Sequence, residues 1–179
     1  MSISDEDLAK LVQEGNTDKY EELVKRYQEK LYRYLSYLTK EPDDSEDLLQ
    51  DTFISVYKNI HRFNTKLKFS SWIYRIAHNK AINHIKKRAK IISFDFMNLG
   101  DILGKEDKTL ENMEKEEVKK MVRDCLNKLP NKYKSPLVLF YFEDKTYQEI
   151  SDILRISKSN VGVLINRGKK TLKKICKEI

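Results

Sequence analysis

The most informative stretch of the chain is TYQEISDILRISKSNVGVLINRGKKTLKKI, residues 146–175. It opens with a capping box, in which Thr146 and Glu149 satisfy each other's free backbone amides at the start of a helix. A tight turn follows at residues 155–157, and the hydroxyl of Ser157 can cap the next helix. A short capped helix, a turn and a longer helix are typical of a helix-turn-helix, with an ordinary helical hairpin as the alternative.

The second of these helices is strongly basic. From Arg155 onward the chain holds eight basic residues and one acidic residue, Glu178. Such an imbalance favours contact with the phosphates of a nucleic acid. We therefore expect this helix to lie in the major groove of DNA. Its phosphate-facing lysines are then Lys169, Lys170, Lys173 and Lys174.

The charge of the whole chain is divided into four blocks. The 179 residues carry a net charge of +7, made up of −7 over residues 1–51, +10 over 52–90, −3 over 91–120 and +7 over 121–179. Residues 52–90 contain no Asp or Glu. Two basic blocks separated by an acidic one predict two surfaces that face a polyanion, whereas solvated lysine-rich helix faces are the plainer alternative.

The composition disfavours several classes of protein. No apolar run approaches the roughly 20 residues that span a bilayer, and the acidic start lacks the features of a signal peptide. The two cysteines, Cys125 and Cys176, predict neither a disulfide framework nor a zinc site and so indicate a reducing cytoplasm. No glycine-rich phosphate loop and no nucleophile–base cluster stand out. We therefore expect no catalytic residues, no metal, no cofactor and no small-molecule substrate.

The apolar pattern of the first half predicts a helical bundle. Ser4 can cap a first helix that ends at Gly15, and a second helix of about 22 residues ends before Pro42. A third helix starts among the acidic residues 43–47, where the helix dipole favours negative charge. A fourth helix is expected over residues 70–89. The predicted apolar stripes are Tyr20, Leu23, Val24, Tyr27, Leu31, Tyr34, Leu35 and Leu38 in the second helix, and Leu49, Phe53, Val56, Tyr57 and Ile60 in the third.

The helical pattern fades after Lys90 and returns near Leu110. The residues between them mix apolar with acidic side chains and include two glycines, which predicts a linker. Pro136 is expected in the first turn of a helix that continues through the apolar residues 137–142, with a buried strand as the alternative. The predicted fold class is all-α. It comprises two small helical domains, at residues 1–90 and 111–179, joined by a flexible linker at residues 91–110.

Four segments of the chain occur together, and in this order, in one known family. They are DLLQDTF at 47–53, FSSWIYRIAHN at 69–79, LPNKY at 129–133 and TYQEI at 146–150. In these segments the chain resembles the extracytoplasmic-function (ECF) group of bacterial RNA polymerase sigma factors, in the sigma-70 family. The tryptophan segment is the most specific part. The resemblance implies that the two helical domains are sigma domains 2 and 4.

The resemblance also implies that the acidic start of the third helix binds the clamp helices of the polymerase large subunit. The residues of that surface are Glu46, Asp47, Gln50 and Asp51. Asp47 and Asp51 are four residues apart and so share one helix face. Two carboxylates at this spacing are also compatible with a metal site, although no third ligand lies nearby in sequence. A merely solvated helix start is the remaining alternative.

The carboxylate-free block is similar to the part of these proteins that recognises and melts the −10 promoter element. Melting requires that unstacked bases be captured, a task that suits aromatic rings and amides. We expect Trp72 and Ile76 in the bundle core, and Asn79 is either a base contact or a plain surface amide. By position, the implied base pocket consists of Phe63, Asn64, Lys66, Lys68, Phe69 and Asn79, and the implied backbone contacts are Lys80, His84, Lys86, Lys87 and Arg88.

The helix-turn-helix resembles the reader of the −35 element, with two departures. Arg155 stands where the turn often has glycine, and a left-handed arginine there costs about 1 kcal/mol. Gly162, Val163 and Leu164 stand where relatives often carry basic or hydroxyl residues, and Gly162 lets the backbone approach the groove closely. Asn pairs with adenine and Arg with guanine. The expected contacts are therefore Lys158, Asn160, Asn166, Arg167, Lys169, Lys170 and Lys173.

The function implied by the resemblance is promoter-specific initiation of transcription. Such a protein binds RNA polymerase core, recognises the −35 and −10 elements and promotes melting of promoter DNA. A further implied partner is an anti-sigma factor, often membrane-anchored, and the implied setting is stress-responsive transcription in the cytoplasm. Two alternatives remain open. One is a stand-alone helix-turn-helix regulator with a helical sensing or dimerisation domain, and the other is a metal-dependent nuclease that uses Asp47 and Asp51.

Overall fold

The computed structural model describes residues 3–39, 41–95 and 113–177. Within these ranges the chain forms eight α-helices, one 3₁₀ turn at Ile60–Arg62 and no β-strand. The helices are α1 (Asp5–Gln13), α2 (Lys19–Leu38), α3 (Pro42–Asn59), α4 (Phe69–Asp95), α5 (Met113–Lys128), α6 (Asn131–Tyr141), α7 (Tyr147–Leu154) and α8 (Lys158–Ile175). The predicted all-α fold class is therefore confirmed.

The first two helices follow their local sequence signals. Ser4 is the N-cap of α1, and its hydroxyl accepts a hydrogen bond of 3.1 Å from the backbone N–H of Asp7. Gly15 follows the helix with a φ of +101°, a conformation that glycine adopts without steric cost. The buried face of α2 is Leu23, Tyr27, Leu31, Tyr34, Leu35 and Leu38, as its apolar spacing predicts. Val24 is only half-buried.

The predicted stripe of α3 is wrong in part. Leu48, Thr52 and Val56 are buried, whereas Leu49 and Phe53 are half-buried and Tyr57 is 46% exposed. The buried face is therefore rotated by one residue from the predicted one. Thr52 fits into the core because its hydroxyl donates a hydrogen bond of 2.6 Å to the Leu48 carbonyl within the helix.

α4 is longer than predicted. It spans 27 residues and continues six residues beyond Ala89. The predicted linker at 91–110 therefore begins inside this helix, and its residues 96–110 lie outside the described part of the chain. The domain boundaries at 90 and 111 stay a prediction. The tertiary core takes Phe69, Ile73, Tyr74, Ala77 and Ala81 from α4, and Trp72 and Ile76 pack half-buried against it.

The apolar run at residues 137–142 is helical, as predicted, but its helix starts earlier. α6 begins at Asn131, so Pro136 lies inside the helix rather than in its first turn. Pro130 is the N-cap residue of α6, so the helix starts at the next residue, upstream of Pro136. Gly168 of α8 packs against α6 so closely that a Cβ there would lie 2.9 Å from Cδ1 of Leu137. This contact joins the two helices of the C-terminal half.

The two cysteines, for which the sequence predicts no disulfide framework, are paired in the structure. Cys125 of α5 forms a disulfide with Cys176, the C-cap residue of α8, and their Cα atoms lie 5.4 Å apart. The two residues are 51 positions apart in sequence, so spacing gave no signal of the pairing. The packing of α5 against α8 brings them together.

Helices α1–α4 form an N-terminal group and helices α5–α8 a C-terminal group, and the two groups pack against each other. α4 contacts α7, and α2 contacts α6. The rings of Tyr37 and Phe142 pack across this boundary at a tilt of 44°, with centroids 4.5 Å apart. A cleft of about 360 Å³ lies between the groups, lined among others by His78, Ile82, Pro136 and Leu164. None of the described helices is both long and apolar enough to cross a bilayer.

Candidate nucleic-acid and partner interfaces

The exposed side of α3 brings the four predicted acidic-face residues together. Glu46, Asp47, Gln50 and Asp51 are all exposed on this helix, and we call them the α3 acidic face. Sequence reasoning missed one neighbour, Ile54, which is 51% exposed and lies one helical turn beyond Gln50 and Asp51. An exposed isoleucine beside carboxylates suits a partner that offers both cations and an apolar contact. Ile54 lies outside the apolar stripe predicted for the third helix, and that position was the only sign in the sequence that its side chain would be exposed.

The basic side of α4 lies next to the acidic start of α3. Lys80 Nζ lies 3.6 Å from Asp51 Oδ2, and His84 Nε2 lies 3.1 Å from Asp44 Oδ2. Arg88 pairs with the same Asp44 and approaches Glu41 at 3.8 Å. The first, acidic charge block and the second, basic one therefore also meet in space, through ion pairs between α3 and α4. Three of the predicted DNA-backbone contacts of α4, namely Lys80, His84 and Arg88, have carboxylate partners within the chain.

Three other predicted residues of α4 point into solvent. Lys86, Lys87 and Asn79 are exposed. Within the described residues, neither lysine has a carboxylate within ion-pair distance. These three side chains are therefore available to an external partner. Lys86 also borders the cleft between the two helical groups.

The loop between the 3₁₀ turn and α4, residues 63–68, presents polar side chains over a layer of aromatic rings. Asn64, Lys66 and Lys68 are exposed, as expected of residues that contact a partner. Phe63 and Phe69, at the two ends, are 5% and 0% exposed, so neither ring is available to stack on a base. This corrects the prediction that both rings line a base pocket. Their burial follows from packing with Trp72, whose ring centroid lies 4.9 Å from that of Phe63 and 5.7 Å from that of Phe69.

The helix-turn-helix has the caps that its sequence predicts. Thr146 Oγ1 accepts a hydrogen bond of 3.2 Å from the Glu149 backbone N–H, and the Glu149 carboxylate accepts one of 3.0 Å from the Thr146 backbone N–H. Arg155 ends α7 in the left-handed region at φ 55°, ψ 46°. Ser157 Oγ then accepts from the Asn160 N–H at 3.3 Å, which starts α8. The two helices of this motif are therefore locally determined.

The exposed side of α8 carries all seven residues predicted to contact the −35 element. We call Lys158, Asn160, Asn166, Arg167, Lys169, Lys170 and Lys173 the α8 basic face. Val163 was not predicted to contact DNA, yet it is 43% exposed in the middle of this face. Gly162 instead points inward, since a Cβ there would lie 3.3 Å from Cε2 of Tyr147. The side of Gly162 that lacks a side chain therefore faces α7. The prediction that this glycine lets the backbone approach a DNA groove is not supported.

A buried carboxylate joins the two helical groups. Glu143, whose side chain is 1% exposed, accepts hydrogen bonds of 2.8 and 3.1 Å from the Arg33 guanidinium and of 2.6 Å from the Tyr74 hydroxyl. The Nζ of Lys145 lies 4.4 Å from the centroid of the Tyr74 ring, and burial lowers the pKa of this lysine. Nearby, Lys68 Nζ lies 3.1 Å from Glu149 Oε1. Sequence reasoning missed this cluster because its members come from distant parts of the chain.

The described residues contain no cluster of three or more His, Cys, Asp or Glu side chains that could hold a metal ion. The nearest basic neighbour of Asp51 is Lys80 rather than a further ligand.

Two family models match the chain in the regions that carry these surfaces. The model described as Sigma-70 region 2 matches residues 23–91, and the model described as Sigma-70, region 4 matches residues 119–172. The chain is 29% identical over 182 residues to the ECF RNA polymerase sigma factor SigW of Bacillus subtilis, covering 95% of each protein. It is 30% identical over 161 residues to the RNA polymerase sigma factor YlaC of the same organism, covering 88% of this chain and 91% of YlaC.

Two solved structures share the fold. CnrH, in complex with the cytosolic domain of CnrY, gives a TM-score of 0.75 at 21% identity and covers 97% of both chains. The sigma factor RpoE from Bartonella quintana, in complex with the anti-sigma factor NepR, gives a TM-score of 0.74 at 15% identity. It covers 88% of this chain and 96% of RpoE. At these identities the likeness concerns the arrangement of the helices.

Proposed function

The chain belongs to the sigma-70 family of RNA polymerase sigma factors, within its ECF group, and we propose that three separate surfaces carry out its function. As a sigma factor it binds RNA polymerase and directs initiation at promoters. The observation that carries the proposal is that one chain exposes an acidic face on α3, basic and amide groups on the 63–68 loop and α4, and a basic face on α8. Each surface has the charge that its partner requires.

The α3 acidic face binds the core polymerase. Its carboxylates repel the phosphates of a nucleic acid and suit a cationic protein surface, and the exposed Ile54 adds an apolar contact. Although Asp51 pairs with Lys80, its side chain is 64% exposed. Its carboxylate therefore stays accessible to a second partner. Asp47 and Gln50 lie beside it on the same face.

The 63–68 loop and α4 recognise the −10 element. Asn64, Lys66 and Lys68 on the loop and Asn79 on α4 supply exposed amides and cations, which can hold an unstacked base and its phosphate. Lys86 and Lys87 continue the positive surface along α4. Lys80 and Arg88 contribute cations that already pair with α3, so DNA phosphates compete with Asp51 and Asp44 for them. His84 lies between them, with its ring against Asp44.

The α8 basic face reads the −35 element. Asn160, Asn166 and Arg167 can donate and accept hydrogen bonds at base edges, and the lysines at its flanks contact phosphates. The protein contributes no chemical step of its own and needs no cofactor. Its partners are core polymerase, promoter DNA and an anti-sigma factor that covers one or more of these surfaces, and its place of action is the cytoplasm, where polymerase and DNA meet.

The proposal is tested by mapping transcription starts with purified core polymerase and this chain. We expect initiation at a specific set of promoters that share a −35 and a −10 motif. Tight binding to duplex DNA as a dimer, without any association with core polymerase, would instead establish the stand-alone regulator.

A charge reversal tests the polymerase surface directly. Asp51→Lys should weaken core binding at least tenfold, since it places a cation beside Lys80 and removes a carboxylate from the interface. Glu29→Lys, an equal charge reversal at an exposed position of α2, is the matched control and should bind core polymerase as the native chain does. Equal core affinity of both variants and the native chain would contradict the assignment of the α3 acidic face.

A further inference from the structure

Helix α1 contacts both ends of the 63–68 loop, and we propose that it is a positioning element for recognition of the −10 element, acting through Gln13 and Glu6. The proposal rests on the proposed function, in which this loop contacts the −10 element. α1 lies before residue 23, where the match to Sigma-70 region 2 begins, so the family match does not include it.

Gln13 holds the first end of the loop. Its carboxamide nitrogen Nε2 donates hydrogen bonds of 2.7 Å to the Ile60 carbonyl and 2.8 Å to the Phe63 carbonyl. Both N–H groups of one amide are thus used on the backbone that leads into the loop. Both bonds are partly buried, and an unpaired buried carbonyl is costly. The Ile60 carbonyl also accepts a hydrogen bond of 3.0 Å from the Phe63 backbone N–H, so Gln13 adds a second bond there and supplies one to the Phe63 carbonyl. Gln13 therefore fixes the direction in which the chain leaves the 3₁₀ turn.

Glu6 holds the second end. Its Oε1 atom accepts a hydrogen bond of 2.8 Å from the backbone N–H of Phe69, the first residue of α4. A helix start leaves such amides without partners, and they are normally satisfied by a Ser, Thr, Asp or Asn at the N-cap. Lys68 occupies that place here and has no side-chain acceptor. The carboxylate of Glu6 satisfies one of these free amides from a different helix, and its charge suits the positive end of the α4 dipole.

Helix α1 is itself anchored to α2. Asp5 accepts a hydrogen bond of 2.5 Å from the Tyr27 hydroxyl and pairs with the Arg26 guanidinium at 2.7 Å, which fixes the start of α1 to α2. Below the loop, the Tyr27 ring contacts the Phe69 ring with centroids 5.6 Å apart. Within the loop, Asn64 Oδ1 accepts from the Lys66 backbone N–H at 3.0 Å. The exposed groups of the loop are therefore carried on backbone that is held from below and at both ends.

A fixed loop matters for capturing an unstacked base. Ordering a mobile loop at the moment of binding subtracts from the affinity, and a loop that is already held in place avoids that loss. Phe63 and Phe69 take part in this support rather than in stacking on the base. Gln13 and Glu6 touch no DNA in this arrangement and act through the loop backbone.

The test uses holoenzyme assembled from core polymerase and the full chain. Its readout is affinity for a single-stranded oligonucleotide that carries the −10 sequence of a mapped promoter. Gln13→Met keeps the size of the side chain but removes both donors, and we expect about tenfold weaker binding of this strand. Affinities for core polymerase and for a −35 duplex should stay unchanged. Gln28→Met, the same replacement at an exposed position of α2, is the control and should change none of the three.

A conservative pair separates positioning from general stability. Glu6→Gln keeps an oxygen that can accept from Phe69 N–H and should retain most of the −10 affinity, whereas Glu6→Met should lose it about as strongly as Gln13→Met. Amide hydrogen exchange of residues 64–68 should quicken in Gln13→Met and Glu6→Met only. If Gln13→Met instead lowers all three affinities together with the melting temperature, its role is general stability and the proposal is overturned.

The loop residues distinguish the proposal from the function on which it rests. If Asn64→Ala and Lys66→Ala leave −10 binding unchanged, the assignment of the loop to the −10 element fails. If these two variants weaken −10 binding while Gln13→Met and Glu6→Met do not, the assignment stands and the role of α1 is overturned.

Discussion

At the scale of single residues, Arg155 is held in a backbone conformation that suits glycine. Its φ of 55° lies in the left-handed region, and burial together with the charge of Arg155 lowers the pKa of the nearby Arg75. Arg155→Gly removes both the steric cost and the repulsion, at the expense of a more flexible unfolded chain. We expect the variant to be more stable by about 1 kcal/mol in urea unfolding.

A second left-handed residue provides the comparison for this prediction. Asp144 has a φ of 50°, and aspartate tolerates that region better than arginine does. Asp144→Gly should therefore stabilise the protein less than Arg155→Gly. If Arg155→Gly lowers the unfolding midpoint, the side chain of Arg155 makes a contact that outweighs the backbone strain.

Val163 lies in the middle of the α8 basic face, and its apolar side chain predicts contact with one specific feature of a base pair. It is apolar and 43% exposed between Asn160, Asn166 and Arg167. In the major groove the apolar feature of a base pair is the 5-methyl group of thymine. Replacing one thymine of the −35 element by uracil should weaken holoenzyme binding by about 1 kcal/mol, the value of one buried methyl group.

The matched variant is Val163→Ala in the same measurement. It should bind the thymine and uracil templates with nearly equal affinity, because the partner of the methyl group has been shortened. A uniform loss across every thymine position, or none at any of them, would contradict a methyl contact by Val163.

At the scale of the elements, the features that could be predicted are those set by neighbours in sequence. The caps of α1, α7 and α8 follow from Ser4, Thr146 and Ser157, and each hydroxyl accepts the backbone bond that its motif implies. The residues of the α3 acidic face came from the family resemblance, and those of the α8 basic face from charge together with that resemblance. Features set by packing could not be predicted in this way. Phe63 and Phe69 looked like base-stacking rings because the sequence pattern did not indicate that they would pack against each other and against Trp72.

His78 gives α4 a pH-dependent contribution to stability. Burial lowers the pKa of this histidine to about 4, and its Nδ1 lies 2.9 Å from the Tyr34 hydroxyl. The folded chain therefore keeps His78 neutral between pH 6.5 and 4, whereas the unfolded chain protonates it. The contribution of neutral His78 to the free energy of unfolding is fully present above pH 6.5. It is lost as the pH falls toward 4, and the loss reaches about 3 kcal/mol.

The slope of stability against pH isolates this histidine from the carboxylates that titrate in the same range. His78→Gln should flatten the fall in unfolding free energy between pH 6.5 and 4.5, and His61→Gln, at an exposed position, should not. Parallel curves for His78→Gln and the native chain would show that His78 does not titrate in this way.

At the scale of the whole molecule, the packing of the two helical groups limits what the chain can contact at once. Elements centred near −35 and −10 are about 25 base pairs apart, or about 85 Å at roughly 3.4 Å per pair. In the structure α4 contacts α7, and Lys68 of the 63–68 loop pairs with Glu149 of the helix-turn-helix. Reading both elements on one duplex therefore requires the groups to separate.

A buried polar contact that resists this separation is centred on Glu143. Its buried carboxylate has charge-assisted hydrogen bonds to Arg33, which is half exposed, and a short one to Tyr74. Glu143→Gln keeps the shape but removes the charge, and each charged hydrogen bond that is lost is worth about 2 kcal/mol. Small-angle X-ray scattering should show a larger radius of gyration for this variant, and the free chain should bind a duplex that carries both elements more tightly. Asp144→Asn, the same change at the next residue, which is exposed, should leave both measurements as in the native chain. An unchanged radius of gyration in Glu143→Gln would mean that apolar contacts such as Tyr37 against Phe142 hold the groups together without it.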